Sequence, residues 1–394
     1  MIQTSKLPST KMSKVVPNSA DVVVIGGGVM GASAAFHLAE AGVDVVLIER
    51  GDLAGGSTSK AAGGVRANFS DALNIALGKR SLELFADFPK RPGQQIDLHR
   101  SGYLFVLTSA EAVADFELAV GLQQQMGVRA EIVDPLRAAE LSPYLDISGV
   151  LAAAWSPDDG HCSPESVVQG YAVGARSFGA RVMTHTEVTD ILVSGGEINS
   201  VVTQAGQIST HCVINCAGAW SPQIANLGGF ELPVVPVRRQ LVVTAPLRNA
   251  LATAFTIDYG STFYWHREGP GMLMGFSDQT TQPGFDCTAD PEFLGKLAEL
   301  AKMRAPALLD VGVKSGWAGL YEVTPDHNAL LGESREVSRM LYATGFSGHG
   351  FLQGPAIGEI LRDLYLGREP FLDISPLDVR RFASGALRPE RNIV

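Results

Sequence analysis

The sequence predicts an α/β protein of two interwoven parts. One is a mainly parallel sheet with flanking helices, assembled from discontinuous segments of the chain; the other is an α+β part built on a large antiparallel sheet. Three observations predict this. A buried strand, a glycine-rich turn and a helix follow one another over 22–42, residues 231–276 alternate apolar and polar in strand-like stretches, and glycine clusters recur near both ends of the chain. The 394 residues suit two or three domains at about 150 residues each. With 46% hydrophobic and 18% charged residues, the chain can bury sizeable cores and lacks the composition of a disordered protein.

The charge balance of 31 bases against 41 acids gives −10, which argues against a nucleic-acid partner, because phosphate binding rests on clustered Lys and Arg. No apolar run reaches the ~18–20 residues of a membrane span, and residues 1–20 have no apolar signal core, so a cytoplasmic location and a flexible leader over 1–20 are expected. The cysteines Cys162, Cys212, Cys216 and Cys287 include no C-x-x-C pair. His211-Cys212 sits in a strand pattern that would put Cys212 and Cys216 about 13 Å apart at ~3.3 Å per residue, so no metal site is expected.

Folding is expected to begin at Asp21. Val22-Val23-Val24-Ile25 is an unbroken β-branched run, as a strand buried on both faces requires. Gly26-Gly27-Gly28-Val29-Met30-Gly31 then fits G-x-G-x-x-G, and Val29, Ala32, Phe36 and Ala39 recur at helical spacing until Gly42 stops the helix. A second strand over 43–48 closes the unit and delivers Glu49 and Arg50 at its end. The chemistry of each part is separable. Gly26 permits the turn, Gly28 lets backbone approach a pyrophosphate, Gly31 lets helix pack on strand, the helix N-terminus holds the anion, and Glu49 accepts from ribose hydroxyls. The loop that follows, Gly55-Gly56-Ser57-Thr58-Ser59-Lys60-Ala61-Ala62-Gly63-Gly64, offers backbone N–H groups and hydroxyls to a long, buried cofactor. This favours FAD over NAD.

Further along, helices are expected over 71–88 and 110–126 and a strand over 101–108. Three successive strands are expected over 181–193, 197–204 and 207–215, ending in Cys216-Ala217-Gly218-Ala219-Trp220. Near the end, Gly345-Phe346-Ser347-Gly348-His349-Gly350-Phe351 precedes a helical pattern through Ile357, Ile360, Leu361 and Leu364.

Together these motifs, with Thr324-Pro325-Asp326, resemble the D-amino-acid oxidase and sarcosine oxidase superfamily of FAD enzymes, from Asp21 to at least Gly367. Within it the chain looks most like the β-subunits of heterotetrameric sarcosine oxidases and dye-linked L-proline dehydrogenases. Its carboxyl end is also similar to a mitochondrial flavoprotein that assists complex I assembly. The resemblance implies a Rossmann-like FAD-binding domain from 21–88, 155–230 and 320–370, a substrate domain from 89–154 and 231–319, and a tail over 371–394. It implies cofactor contacts at the three glycine-rich segments, at Ala217, Gly218 and Trp220, and at Val188 and Gly319. It places the segment 345–350 against the flavin, with the positive end of the following helix favouring flavin reduction.

For the chemistry, the resemblance implies that Arg66 pairs with a substrate carboxylate and that Tyr321 is an active-site tyrosine. His349, flanked by glycines, would hydrogen-bond to flavin or substrate or else titrate during turnover, and Tyr264 is a further candidate by strand position. The departures are equally informative. Gly319 stands where monomeric sarcosine oxidases attach flavin through a cysteine, and Lys60 where dimethylglycine dehydrogenase relatives use a histidine, so FAD is expected to be noncovalent. Leu273 replaces the lysine that promotes reaction with oxygen, and Leu352 a second carboxylate-binding lysine. The expected activity is oxidation of the C–N bond of a sarcosine-like or proline-like amino acid by hydride transfer to flavin N5, giving an imine that hydrolyses. Electrons would pass to a partner subunit or carrier. The alternative is a flavin-bearing assembly subunit of slight activity.

Overall fold

Val22–Ile25 is buried along its whole length and lies inside a six-stranded sheet, with Val45–Ile48 parallel on one side and Val213–Asn215 parallel on the other. The computed structural model describes residues 16–248, 250–385 and 387–392. The sheet extends through Met340–Thr344 to an antiparallel edge strand, Leu330–Glu333, and ends at its other edge with Arg181–Met183. Strands from three distant stretches therefore share one sheet, as the glycine clusters suggest.

Helix Val29–Glu40 packs against helices Pro164–Ser177 and Gly350–Tyr365. The crossing with the last helix is close enough to need glycine. A Cβ on Gly358 would lie 2.1 Å from Ser33 Oγ, and one on Gly354 would lie 2.6 Å from a Val29 methyl. This contact brings the first turns of both helices to the wall of one cavity.

The second layer is an eight-stranded sheet. Its order is Val313–Val323, Val235–Thr244, Gly271–Phe276, Phe263–Glu268, Phe255–Asp258, Tyr103–Leu107, Ala152–Ser156 and Glu131–Val133, with one parallel pair between Phe255–Asp258 and Tyr103–Leu107. Period-2 alternation splits its side chains. Leu104, Val106, Phe263, Trp265, Met272 and Met274 pack under helix Phe293–Arg304. Tyr103, Phe255, Ile257 and Tyr264 face the cavity.

Several expectations are corrected. The stretch 181–193 is two strands in different sheets: Arg181–Met183 joins the six-stranded sheet, while Val188–Ser194 joins Glu197–Thr203 and Gly206–Ser209 in a three-stranded one. His185 at φ 53° marks the break. The stretch 207–215 divides likewise, and Val213–Asn215 returns to the larger sheet. An apolar run shows that a strand exists, not which sheet it joins. Of the expected leader, 1–15 lie outside the described residues, whereas Val16 and Ala20 are buried and the backbone pairs with Ser209. Ala152–Ser156 crosses the expected 154/155 boundary and Val313–Val323 the 319/320 boundary, both lying wholly in the eight-stranded sheet. Among the described residues no helix is long and apolar enough to cross a membrane.

Candidate active site

A cavity of about 590 Å³ lies between the two large sheets. Its floor is the glycine turn. Gly26 adopts φ 110°, and a Cβ there would lie 2.3 Å from Cys216 O; a Cβ on Gly31 would lie 1.9 Å from Gly26 O. Gly28 has only Thr58 Oγ1 near an added Cβ, at 3.2 Å, and the same hydroxyl accepts from Val29 N at 3.1 Å. The N-cap residues Gly28 and His349 make no side-chain cap for helices Val29–Glu40 and Gly350–Tyr365, and the first turns of both helices line the cavity. Glu49 accepts from Gly27 N and Gly51 N, each at 2.7 Å, which fixes its carboxylate on the cavity wall. Arg50 lies 4.0 Å over the Trp220 ring, whose neighbour is Phe285 at 5.4 Å.

The other end lies under the antiparallel sheet. Tyr103, Tyr264 and Tyr321 line it, and burial pushes all three phenols up, so each is a neutral hydrogen-bonding group. Glycines make the room. A Cβ on Gly64 would lie 1.8 Å from the Tyr103 hydroxyl, and one on Gly275 would lie 2.3 Å from that of Tyr264. Two guanidinium groups share the wall, Arg66 and Arg239. Arg66 donates to Asn68 O and Oδ1 at 3.2 and 2.9 Å and to Asn392 O at 2.6 Å, and it lies 4.1 Å over the Phe69 ring. His349 is buried edge-on to Phe69 at 5.0 Å. Burial, then the charges of Arg66 and His327, hold its imidazole well below the ordinary range, which favours the neutral form. Glu322 accepts from Thr344 Oγ1 at 2.9 Å, and burial pushes its carboxyl up to about 7.

This arrangement, a Cβ-free turn between two helix ends with a carboxylate at the neighbouring strand end, fits a dinucleotide cofactor. The family model described as FAD dependent oxidoreductase, DAO, matches residues 21–364. The chain belongs to the DAO family of FAD-dependent oxidoreductases. L-proline dehydrogenase from P. horikoshii superposes with a TM-score of 0.91 at 34% identity, covering 95% of this chain and 100% of that one. FAD-dependent oxidoreductase domain-containing protein 1 of Xenopus laevis is 31% identical, over 98% of this chain and 87% of its own length. Mitochondrial dimethylglycine dehydrogenase of Mus musculus is 29% identical over 92% of this chain, which spans only 44% of that relative.

The cofactor of the DAO family would be held by the turn at Gly26, Gly28, Val29 and Met30, by Glu49 and Arg50, by Gly56, Ser57, Thr58, Lys60, Ala62, Gly63 and Gly64, and by Val188, Ala217, Gly218 and Trp220, all of which line the cavity. Gly319, Gly348, His349, Gly350 and Phe351 line it too. Gly31, Ser59, Gly345, Phe346 and Ser347 do not line it. Gly31 abuts the turn; Ser59 borders a second cavity of about 440 Å³; the amides of Gly345 and Phe346 hold Glu322; and Ser347 Oγ accepts from Thr324 N at 3.2 Å. Leu352 lines the main cavity, while Leu273 borders the second, beside His161. Lys60 and Gly319 prove to be neighbours, since a Cβ on Gly319 would lie 2.4 Å from Lys60 Cβ.

Sequence reasoning missed Tyr103, Arg239 and Glu322, which sit in ordinary strand patterns where only the alternation could have hinted at an inward face. It also missed the tail. Glu390 accepts from Ser70 N, Ser70 Oγ and Asn74 Nδ2 at 2.9, 2.6 and 3.0 Å, and Asn392 Nδ2 donates to Asn68 O at 3.0 Å. Residues 388–392 are thus bound onto the Arg66 segment instead of trailing from the domain.

Proposed function

We propose that this protein oxidises the C–N bond of a secondary or N-alkyl amino acid, with sarcosine-like and proline-like compounds as leading substrates, to an imine that hydrolyses in water. The observation that carries the reading is one cavity that joins a dinucleotide cradle to a pocket of three neutral phenols and two guanidinium groups. FAD bound in the cradle would supply the two-electron acceptor. The chain's own part is binding and orientation. Guanidinium charge draws the substrate carboxylate, Tyr264 and Tyr321 shape the pocket and donate hydrogen bonds, neutral His349 offers another, and the sheet excludes water so that the reacting carbon is held in place.

The cofactor is held noncovalently in this reading, because neither Gly319 nor Lys60 offers a cysteine or histidine for attachment. Leucine at 273 leaves out the oxygen-promoting lysine of monomeric sarcosine oxidases, which favours electron transfer to a partner subunit or carrier over rapid reaction with oxygen, and leucine at 352 leaves out their second carboxylate-binding lysine. Anaerobic addition of sarcosine, L-proline and N-methyl amino acids to the flavin-loaded protein tests the proposal. Bleaching of the oxidised flavin band is the expected result. An unbleached band across a broad amine panel would overturn it in favour of an assembly role.

A further inference from the structure

We infer that Arg239, on strand Val235–Thr244, is the residue that anchors the substrate's carboxylate, and that Arg66 is held back from that task; this rests on the amino-acid oxidation proposed above. Strand alternation gives the placement. In register with the neighbouring strand, Val237 faces Tyr321 and Arg239 faces Gly319, so Arg239 shares the cavity face with Tyr321. Arg238 and Gln240 point the other way, where Arg238 approaches Asp290 at 3.5 Å and Gln240 Oε1 accepts from Asp290 N at 2.8 Å.

The two cavity guanidinium groups differ in how they are satisfied. Arg66 is buried, and its donors are engaged by Asn68 and the tail carbonyl of Asn392. Burial lowers the pKa of its guanidinium, and Tyr103, Glu390 and Asp159 oppose that only in part. Among the described residues, Arg239 reaches only main-chain carbonyls, Arg238 O at 3.0 Å and Asp278 O at 3.4 Å, and its buried Nε has no hydrogen-bond partner there. The carboxylate of Asp278 is itself taken by Lys296 at 2.8 Å. The Arg239 guanidinium lies 5.4 Å from the centre of the Tyr321 ring. A half-buried guanidinium with an unmet donor and no ion-pair partner among the described residues is the group that gains most from an incoming carboxylate. Arg66 likewise has no ion pair among the described residues, but no donor of it is left buried and unmet. The substrate class that follows is a secondary amine bearing a free carboxylate, bound in preference to its amides and esters.

The test compares wild type, Arg239→Gln and Arg239→Lys, each loaded with FAD. Equilibrium titration with pyrrole-2-carboxylate, read as a perturbation of the oxidised flavin band, measures carboxylate binding without turnover. Steady-state assays with an artificial electron acceptor compare L-proline with L-prolinamide. Arg239→Gln is expected to weaken pyrrole-2-carboxylate and raise the KM for L-proline by roughly 30-fold or more, leaving kcat/KM for the amide within about threefold. Arg239→Lys, which keeps the charge and loses the fork, falls between. If Arg239→Gln fails to retain FAD, the same two measurements on Arg239→Lys decide. Unchanged carboxylate affinity in the variants, or no carboxylate-induced change in wild type, overturns the assignment. Should wild-type flavin stay oxidised with every amino acid while the titration still separates the variants, the oxidation reading fails and the Arg239 site stands.

Discussion

Replacing Gly31 by Ala should cost the protein its cofactor more than its fold. The added Cβ would meet the backbone oxygen of Gly26 at 1.9 Å and the Leu47 methyl at 3.3 Å. Real Cβ contacts below 3.0 Å are essentially absent, so helix and turn must separate by at least about 1.1 Å, the difference between the two distances. Neither side of the contact is a flexible side chain. Overpacking of this kind costs about 1–3 kcal/mol, and the better helix propensity of Ala returns about 1 kcal/mol, so the net loss of fold stability is about 0–2 kcal/mol. Cofactor binding has no such offset. A shift of that size at the helix N-terminus weakens the amide hydrogen bonds offered to an anion; losing two charge-assisted bonds at about 1.5 kcal/mol each gives about 3 kcal/mol, or roughly 100-fold in Kd. Reconstitution of deflavinated protein, followed by quenching of free-flavin fluorescence, measures that Kd. Gly42→Ala is the control. Gly42 has φ 85° and open space around it, so the change strains the backbone far from the cradle and should spare FAD affinity. Equal affinities for wild type and Gly31→Ala would refute the argument that the turn and helix are held in contact to shape the cradle.

Further outcomes are expected from the same geometry. Gly319→Ala should weaken FAD because its Cβ would press on Lys60 Cβ at 2.4 Å, and Lys60→Gly in the same chain should relieve that contact and recover part of the loss; a double variant no better than Gly319→Ala alone would disprove the contact. Glu322 has its carboxyl raised to about 7, above the unfolded value near 4.5, so the folded state binds the extra proton and stability is lost as pH rises between those values. Thermal midpoints of flavin-free Glu322→Gln and wild type should therefore diverge from pH 5 to pH 8 in favour of the glutamine, and parallel curves would show otherwise. Glu390→Ala removes the acceptor for Ser70 and Asn74, and a loss of about 1–3 kcal/mol in denaturant unfolding is expected; an unchanged midpoint would mean that the tail is not held by this carboxylate.

The cradle was legible because its parts are contiguous. Strand, turn and helix over 22–40 follow from β-branched burial, the needs of a Cβ-free turn and a 3.6-residue period, each of which acts within a few residues. The site's sheet end was only partly legible. Tyr321, Tyr264 and His349 stand out beside glycines or within family motifs, and the cavity includes all three. Arg239 and Tyr103 lie in strands that read like any other, and their role depends on which face the sheet turns toward the helices. Lys60 and Gly319, 259 positions apart in the sequence, touch only because two layers close on each other.

The sequence by itself determined that this chain builds a glycine turn of dinucleotide-binding type between a buried strand and a helix, and where it lies, since local sterics and hydrophobic periodicity suffice for those conclusions. Only the tertiary structure decided which guanidinium keeps a buried donor unmet. Arg66 and Arg239 are alike as residues, and the difference between them is made by a tail carbonyl that arrives from the far end of the chain. Hydrogen-bond satisfaction is a property of packed neighbours, and no span of sequence contains it.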